Sequence, residues 1–140
     1  MVVNDFRDLA AWQRVDELRR EIIAFTSKRP CSTDFEFCDQ IRGAIGSACR
    51  NTSEGFDRFR PAEHARFLEF ARGSVGEVQD ALIEARQKNY IDEALFDRLW
   101  TLTRRALGTN TNLQKYLRWC VKTGTKPWLK KRKDPKDPEP

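Results

Sequence analysis

"NTSEGFDRFRPAEHARFLEFARGS", residues 51–74, decides how the chain folds. Pro61 stands near its middle, and proline lacks the amide hydrogen that a continuing helix requires. In the first turn of a new helix that loss costs nothing. The stretch is therefore the end of one helix, a turn near Phe59-Arg60, and the start of another. Small and polar residues stand where a simple bundle would carry leucines. Asn51, Glu54 and Gly55 come before the turn, and Arg72, Gly73 and Ser74 follow it.

Folded antiparallel about that turn, the two helices place opposite one another residues whose numbers total roughly 119. Gly43 then faces Gly76, and Gly46 faces Gly73, with Ser47 beside them. A mid-helix glycine costs about 0.5–1 kcal/mol relative to alanine, so four of them need a reason. The expected reason is close backbone approach, inside the usual axis separation of about 8–10 Å. The same register sets Glu54 near Arg66 and Asn51 near Arg72. Charge-assisted bonds among Asn51, Glu54, Arg66 and Arg72 would clamp the pair.

Working outward, Leu9, Trp12, Val15, Leu18, Ile22 and Phe25 recur at steps of three and four, a helical stripe over residues 8–28. Asp8 is its expected N-cap. "KRPCST" at 28–33 breaks the pattern at Pro30. Thr33-Asp34-Phe35-Glu36 then has the form of a capping box and opens a second helix over 33–58. The third helix covers 61–88, with Leu68, Ala71, Val75, Val78, Leu82 and Ala85 on one face. Asp92 caps a fourth over 92–121, which carries Leu95, Leu99, Leu102, Ala106, Leu113, Leu117 and Cys120 and is ended by Gly124 and Pro127. No strand-period alternation interrupts these segments. The expected fold is all-α, an antiparallel up-and-down four-helix bundle over residues 1–121. Residues 122–140 form a basic, Pro-rich tail, disordered or loosely docked, with Trp128-Leu129 as its docking point.

Composition agrees with one soluble domain: of 140 residues, 39% are hydrophobic and 34% charged. No apolar run is long enough to cross a bilayer, and the N-terminus lacks a secretory apolar core, which points to the cytoplasm and away from a membrane partner. Cys31, Cys38, Cys49 and Cys120 are spaced by 7, 11 and 71 residues, which matches no zinc pattern, and His64 is the sole histidine. No metal or other cofactor is expected, and the cysteines are expected to be buried thiols. Net charge is +5, and the tail holds most of it: residues 122–140 have seven basic and three acidic residues, against nineteen and eighteen in residues 1–121.

Four phrases occur in a recognisable order: "FRDLAAWQ" at 6–13, "QIRGAIGSACRNTSEG" at 40–55, "FLEFARGSVGEVQ" at 67–79 and "NYI" at 89–91. Together they resemble the four-helix-bundle family of 23S rRNA-intervening-sequence proteins, which includes the accessory variability proteins of diversity-generating retroelements. The resemblance runs from about Phe6 to Leu117 and implies a homopentamer around a central channel. For the retroelement members it also implies a basic surface that binds nucleic acid and engages a reverse transcriptase. The sequence departs from the family pattern at Gly43, where a second arginine is usual. Of the usual Asn-Ile-Ala-Glu-Gly, Thr52 and Ser53 replace the Ile-Ala and lose its apolar bulk, while Asn51, Glu54 and Gly55, with Arg72, Gly73 and Ser74, carry over.

Three functions follow for testing. The first is a non-catalytic homo-oligomer whose basic surface meets RNA or DNA, through Arg42, Arg50, Arg58, Arg60 and Arg66 and the tail residues Lys130, Lys131, Arg132 and Lys133. The alternatives are solvated or ion-paired helix arginines and a merely solubilising tail. The second is a protein-interaction scaffold in which Trp12, Phe56, Phe59, Phe70, Trp100 and Trp119 join subunits. The third, an enzyme, is disfavoured. His64 is expected on the surface, no base pairs with a serine or cysteine, and Glu77, Asp80 and Glu84, at i, i+3 and i+7, could hold Mg²⁺ but have the commoner spacing of a solvated helix face.

Overall fold

The computed structural model describes residues 3–58 and 60–128, so Phe59 and the tail residues Lys130, Lys131, Arg132 and Lys133 lie outside the described residues. Four helices follow one another: α1 (Ala10–Thr26), α2 (Phe35–Asp57), α3 (Pro61–Gln87) and α4 (Glu93–Thr123). The described residues contain no strand, and each helix packs against its neighbours in an antiparallel four-helix bundle. No helix among them is long and apolar enough to cross a membrane.

Two expected caps move by a few residues. A 3-10 turn, Phe6–Asp8, precedes α1; Asp5 accepts from the Arg7 amide, and Asp8 closes a capping box back onto Asp5. α1 itself begins after Leu9 with no side-chain cap, so Asp8 caps the approach and not the helix. At α2 the cap is Asp34, accepting from the Phe37 amide at 3.2 Å, while the Thr33 hydroxyl donates to the Pro30 carbonyl. Asp34 also accepts from the Tyr90 hydroxyl at 2.6 Å and from Lys88 at 3.2 Å. The α3–α4 connection is thereby tied to the start of α2. The Tyr90 bond, above all, holds the Asp34 carboxyl below its ordinary pKa. Asp92 and Gly124 act as expected: Asp92 accepts from the Leu95 amide, and Gly124 leaves α4 with φ 70°.

The main core runs from Val15, Leu18 and Ile22 through Ile41, Ile45, Val75, Val78 and Leu82 to Leu99 and Ala106. A second, smaller cluster joins Ala65, Leu68 and Leu117, with Leu113 and Trp128 packed against it. The split follows from helix length. At about 1.5 Å per residue, the 31-residue α4 outruns the 17-residue α1 by roughly 20 Å. Arg98 near the start of α4 pairs with Glu21 near the end of α1. The surplus of α4 therefore lies at the opposite end, beside the α2–α3 turn. Leu113 and Leu117 there pack on α3 and on Trp128, which returns after Gly124.

The glycine reading needs correction. A Cβ added at Gly43, Gly73 or Gly76 meets no atom within 4 Å, and all three are exposed; at Gly46 it meets only the flexible end of Arg50. These residues do not bring α2 and α3 together. Gly55 does. A Cβ there would fall 2.7 Å from His64 Cδ2 and 2.9 Å from Phe67 Cβ, both on α3. Beside the turn, Gly55 against His64 keeps the expected register, whereas further along Ser47 meets Ser74 (3.1 Å), two residues beyond the expected Arg72.

Gly55→Ala should therefore destabilise the protein by about 1–3 kcal/mol through overpacking, whereas Gly108→Ala, at an exposed mid-helix site with open space, should stabilise it by about 0.5–1 kcal/mol. Urea denaturation followed by circular dichroism reads both signs.

Candidate nucleic-acid interface

The residues expected to clamp α2 to α3 do not meet one another. Asn51 donates to the Ser47 carbonyl (3.0 Å) and hydroxyl (3.1 Å) on its own helix, and Ser47 carries the link across to Ser74. Glu54 pairs with Arg58, one turn later, at 2.6 Å. Arg66 lies over the Phe70 ring at 5.6 Å. Arg72 turns the other way and bonds the Leu107 carbonyl and the Thr111 hydroxyl of α4. Helix geometry explains the dispersal: long side chains on the outward faces of α2 and α3 find partners along their own helix or on a different neighbour.

A more deeply buried polar ladder connects α3 with α4. Asn110 donates to the Leu68 carbonyl at 2.9 Å, Gln114 donates to Asn110 Oδ1 at 2.6 Å, and Arg118 bonds both Gln114 Oε1 (3.1 Å) and Glu69 (2.8 Å). Asn110 and Gln114 are buried. Asn110 stands between Ala106 and Leu113, where the α4 stripe calls for an apolar residue. That break in periodicity was the available sequence signal.

His64 is not on the surface. It is 2% exposed, and among the described residues its Nε2 is the one buried side-chain nitrogen or oxygen without a hydrogen-bond partner. Gly55 makes room for the ring. Phe56 meets it edge-on at 6.2 Å, and Trp128 covers it at 6.3 Å. A cavity of about 40 Å³ lies between these residues and Arg60. Burial pulls the His64 pKa down to about 4. The four cysteines are free and buried. Burial, and the neighbouring Cys38 thiol after it, push Cys31 up to about 12, and burial pushes Cys49 up to about 11. Such thiols stay protonated and are poor nucleophiles. Among the described residues, no three His, Cys, Asp or Glu side chains come together as a metal site.

Arg42, Arg50, Arg58, Arg60 and Arg66 are all exposed. Arg58 pairs with Glu54, but Arg42, Arg50, Arg60 and Arg66 have no carboxylate partner among the described residues. Arg42 instead bonds the hydroxyls of Thr26 (2.8 Å) and Ser27 (3.1 Å). A further basic surface runs along α4, where segment-by-segment charge counts do not reveal it. Residues 98–128 hold seven basic residues and no acidic one. At the opposite end of the bundle, residues 21–40 and 84–97 hold eight carboxylates against four basic residues. At the end formed by the α2–α3 turn and the α4 C-terminus, residues 50–72 and 110–128 hold nine basic residues against four acidic ones, so the excess of positive charge lies at that end.

Among the described members of the set expected to join subunits, which leaves out Phe59, Phe70 and Trp119 are the exposed ones, at 48% and 52%. Trp12 packs edge-on against Phe6, Trp100 stacks on Phe96, and Phe56 sits between His64 and Trp128; all three are half-buried. Phe35, at 76%, is the most exposed large apolar side chain among the described residues and stood outside the expected set.

These features define an all-α four-helix bundle with one basic end. Residues 7–110 match the family described as 23S rRNA-intervening sequence protein, and the chain belongs to that family. No curated protein matches the chain.

A histidine kept neutral by burial makes folding sensitive to acid in a defined direction. His64 binds a proton in the unfolded chain below about 6.5 but in the folded one only below about 4, so stability is lost as pH falls between those values. The loss should total on the order of 3 kcal/mol. Subtracting the urea-derived stability of His64→Leu from that of wild type, pH by pH, should isolate this slope from that of the carboxylates.

Proposed function

We propose that the protein is a cytoplasmic, non-catalytic homo-oligomer, a pentamer on the family pattern, that binds nucleic acid or a nucleic-acid-processing partner such as a reverse transcriptase. The observation that carries the nucleic-acid reading is the separation of charge. Arg60, Arg66, Lys115 and Lys122, all exposed and without a carboxylate partner among the described residues, gather at the end where α4 carries no acidic residue. A phosphate backbone is the natural counterpart of such a surface, because each cation that neutralises a phosphate releases condensed counterions.

Self-association is supported by a different face. Gly43, Gly73 and Gly76 are helix-interior glycines whose missing side chains face open space within the subunit. Their helix-propensity cost, about 0.5–1 kcal/mol each, is repaid if another subunit lies against them. Phe70 lies one turn from Gly73, and an exposed aromatic beside small residues is a suitable anchor. Should the oligomer form and bind no polynucleotide, a protein scaffold built on this face is the better reading.

Fluorescence anisotropy with labelled RNA and DNA across a salt series tests the first part. Affinity should fall steeply with salt, and Arg50→Gln/Arg60→Gln/Arg66→Gln should lower both affinity and the log–log salt slope. A chain ending at Trp128 keeps the His64 cover and separates the tail's share. Absence of binding at low salt refutes the nucleic-acid reading. Light scattering tests the second part: Gly73→Gln/Gly76→Gln should shift an oligomer to monomer with helicity retained, and a wild-type monomer at micromolar concentration refutes self-association.

A further inference from the structure

The C-terminal half of α4 presents to solvent more than charge. At 100° per residue, Arg104, Gly108, Asn112, Lys115, Trp119 and Lys122 share one face of the helix, with Arg105 and Tyr116 along its border. Apart from Tyr116, which is 37% exposed, and Trp119, these residues are fully polar or lack a side chain, and each is exposed. The run from Arg104 to Lys122 is about 27 Å long. Within it the Tyr116 and Trp119 rings lie 6.2 Å apart and only 24° from parallel. Trp128 also lies against Tyr116 at 5.3 Å and in turn packs on Phe56 and His64. An exposed aromatic pair is thus braced from the core outward and flanked by Lys115 and Lys122, neither with a carboxylate partner among the described residues. Most of this feature lies beyond residue 110, where the family match ends.

We propose that this face of α4 is a stacking track for single-stranded nucleic acid, with Trp119 and Tyr116 as the base platform and Arg104, Arg105, Lys115 and Lys122 along the phosphate backbone. The assignment rests on the nucleic-acid reading above and narrows it. Cations alone do not distinguish duplex from single strand, but flat exposed rings do. In a duplex the bases are already stacked on one another, whereas an open strand can lay its bases on protein aromatics. A platform fixed before binding also gives up little side-chain freedom. A second copy of the same face is a poor occupant, because two acid-free surfaces repel.

The test compares a labelled 20-nucleotide poly-dT or poly-U strand with a 20-base-pair duplex, for the full chain and for Trp119→Ala, Trp119→Phe and Lys115→Gln/Lys122→Gln. Base–aromatic stacking is worth about 1–3 kcal/mol, or roughly a 5- to 150-fold change in affinity. Trp119→Ala should weaken single-strand binding at least 5-fold, leave duplex binding and the unfolding midpoint unchanged, and be partly rescued by Trp119→Phe. Lys115→Gln/Lys122→Gln should weaken both ligands and flatten the salt dependence. Equal losses for strand and duplex, or no loss for either, overturn the track while the general nucleic-acid reading stands. A fall in oligomeric state on Trp119→Ala with strand binding intact makes the face a subunit contact and also overturns it. If the wild-type chain retains neither ligand at low salt, both readings fall together.

Discussion

The absence of a side chain at Gly55 lets α3 close over the end of α2. His64 and Phe67 stand one and two turns into α3, and both approach the Gly55 position more closely than any Cβ would allow. Closure at that point buries the imidazole, whose neutral form is the one a desolvated site accepts. The ring then offers an aromatic surface on which Phe56 and Trp128 pack. One glycine at the hinge thus sets the turn, the protonation state of the histidine and the seat of the chain's last described residue.

Unequal helix lengths govern the same end of the molecule. With α1 too short to reach it, the last turns of α4 have α3 beside them but no fourth helix to complete the bundle. Two devices meet this. A polar ladder from Leu68 through Asn110 and Gln114 to Arg118 holds α4 to α3, with donors and acceptors matched so that buried amides are not stranded. Trp128 supplies apolar cover over Leu117 and His64. The tail is therefore part of the bundle as far as Trp128. Its basic run lies beyond.

Periodicity made the helices legible, because apolar stripes report the buried face directly: Leu18, Ile22, Ile41, Ile45, Val75, Leu82 and Leu99 were all placed from spacing and are all buried. Of the expected docking pair Trp128-Leu129, two adjacent apolar residues in a polar segment, Trp128 packs against the Leu117 cluster and His64, and Leu129 lies outside the described residues. What spacing does not carry is direction around the helix for small and long residues. Glycine's use in close packing suggests an inward Gly43, Gly73 and Gly76, yet their positions face out, and Gly55, at a helix end where glycine is ordinary, is the one that packs. Arg72 was paired with Asn51 across one interface when its long stem could equally reach α4. A position in the first turn after Pro61 suggests an exposed His64, although Ala65 and Leu68 mark the buried side of that turn.

Charge position adds what residue-by-residue reading misses. A net charge of +5 on 140 residues is modest and, spread evenly, would mean little more than solubility. Concentrating carboxylates at the α1–α2 and α3–α4 connections while excluding them from residues 98–128 turns the same count into an oriented field. An anionic polymer approaching such a rod meets repulsion at one end and attraction at the other, before any contact forms. In a ring of parallel subunits the ends would align, and the weak field of each positive end would sum over every copy. Self-association and affinity for phosphate would then be coupled by geometry, since loss of the ring would remove the summed field even from subunits whose own surfaces were untouched.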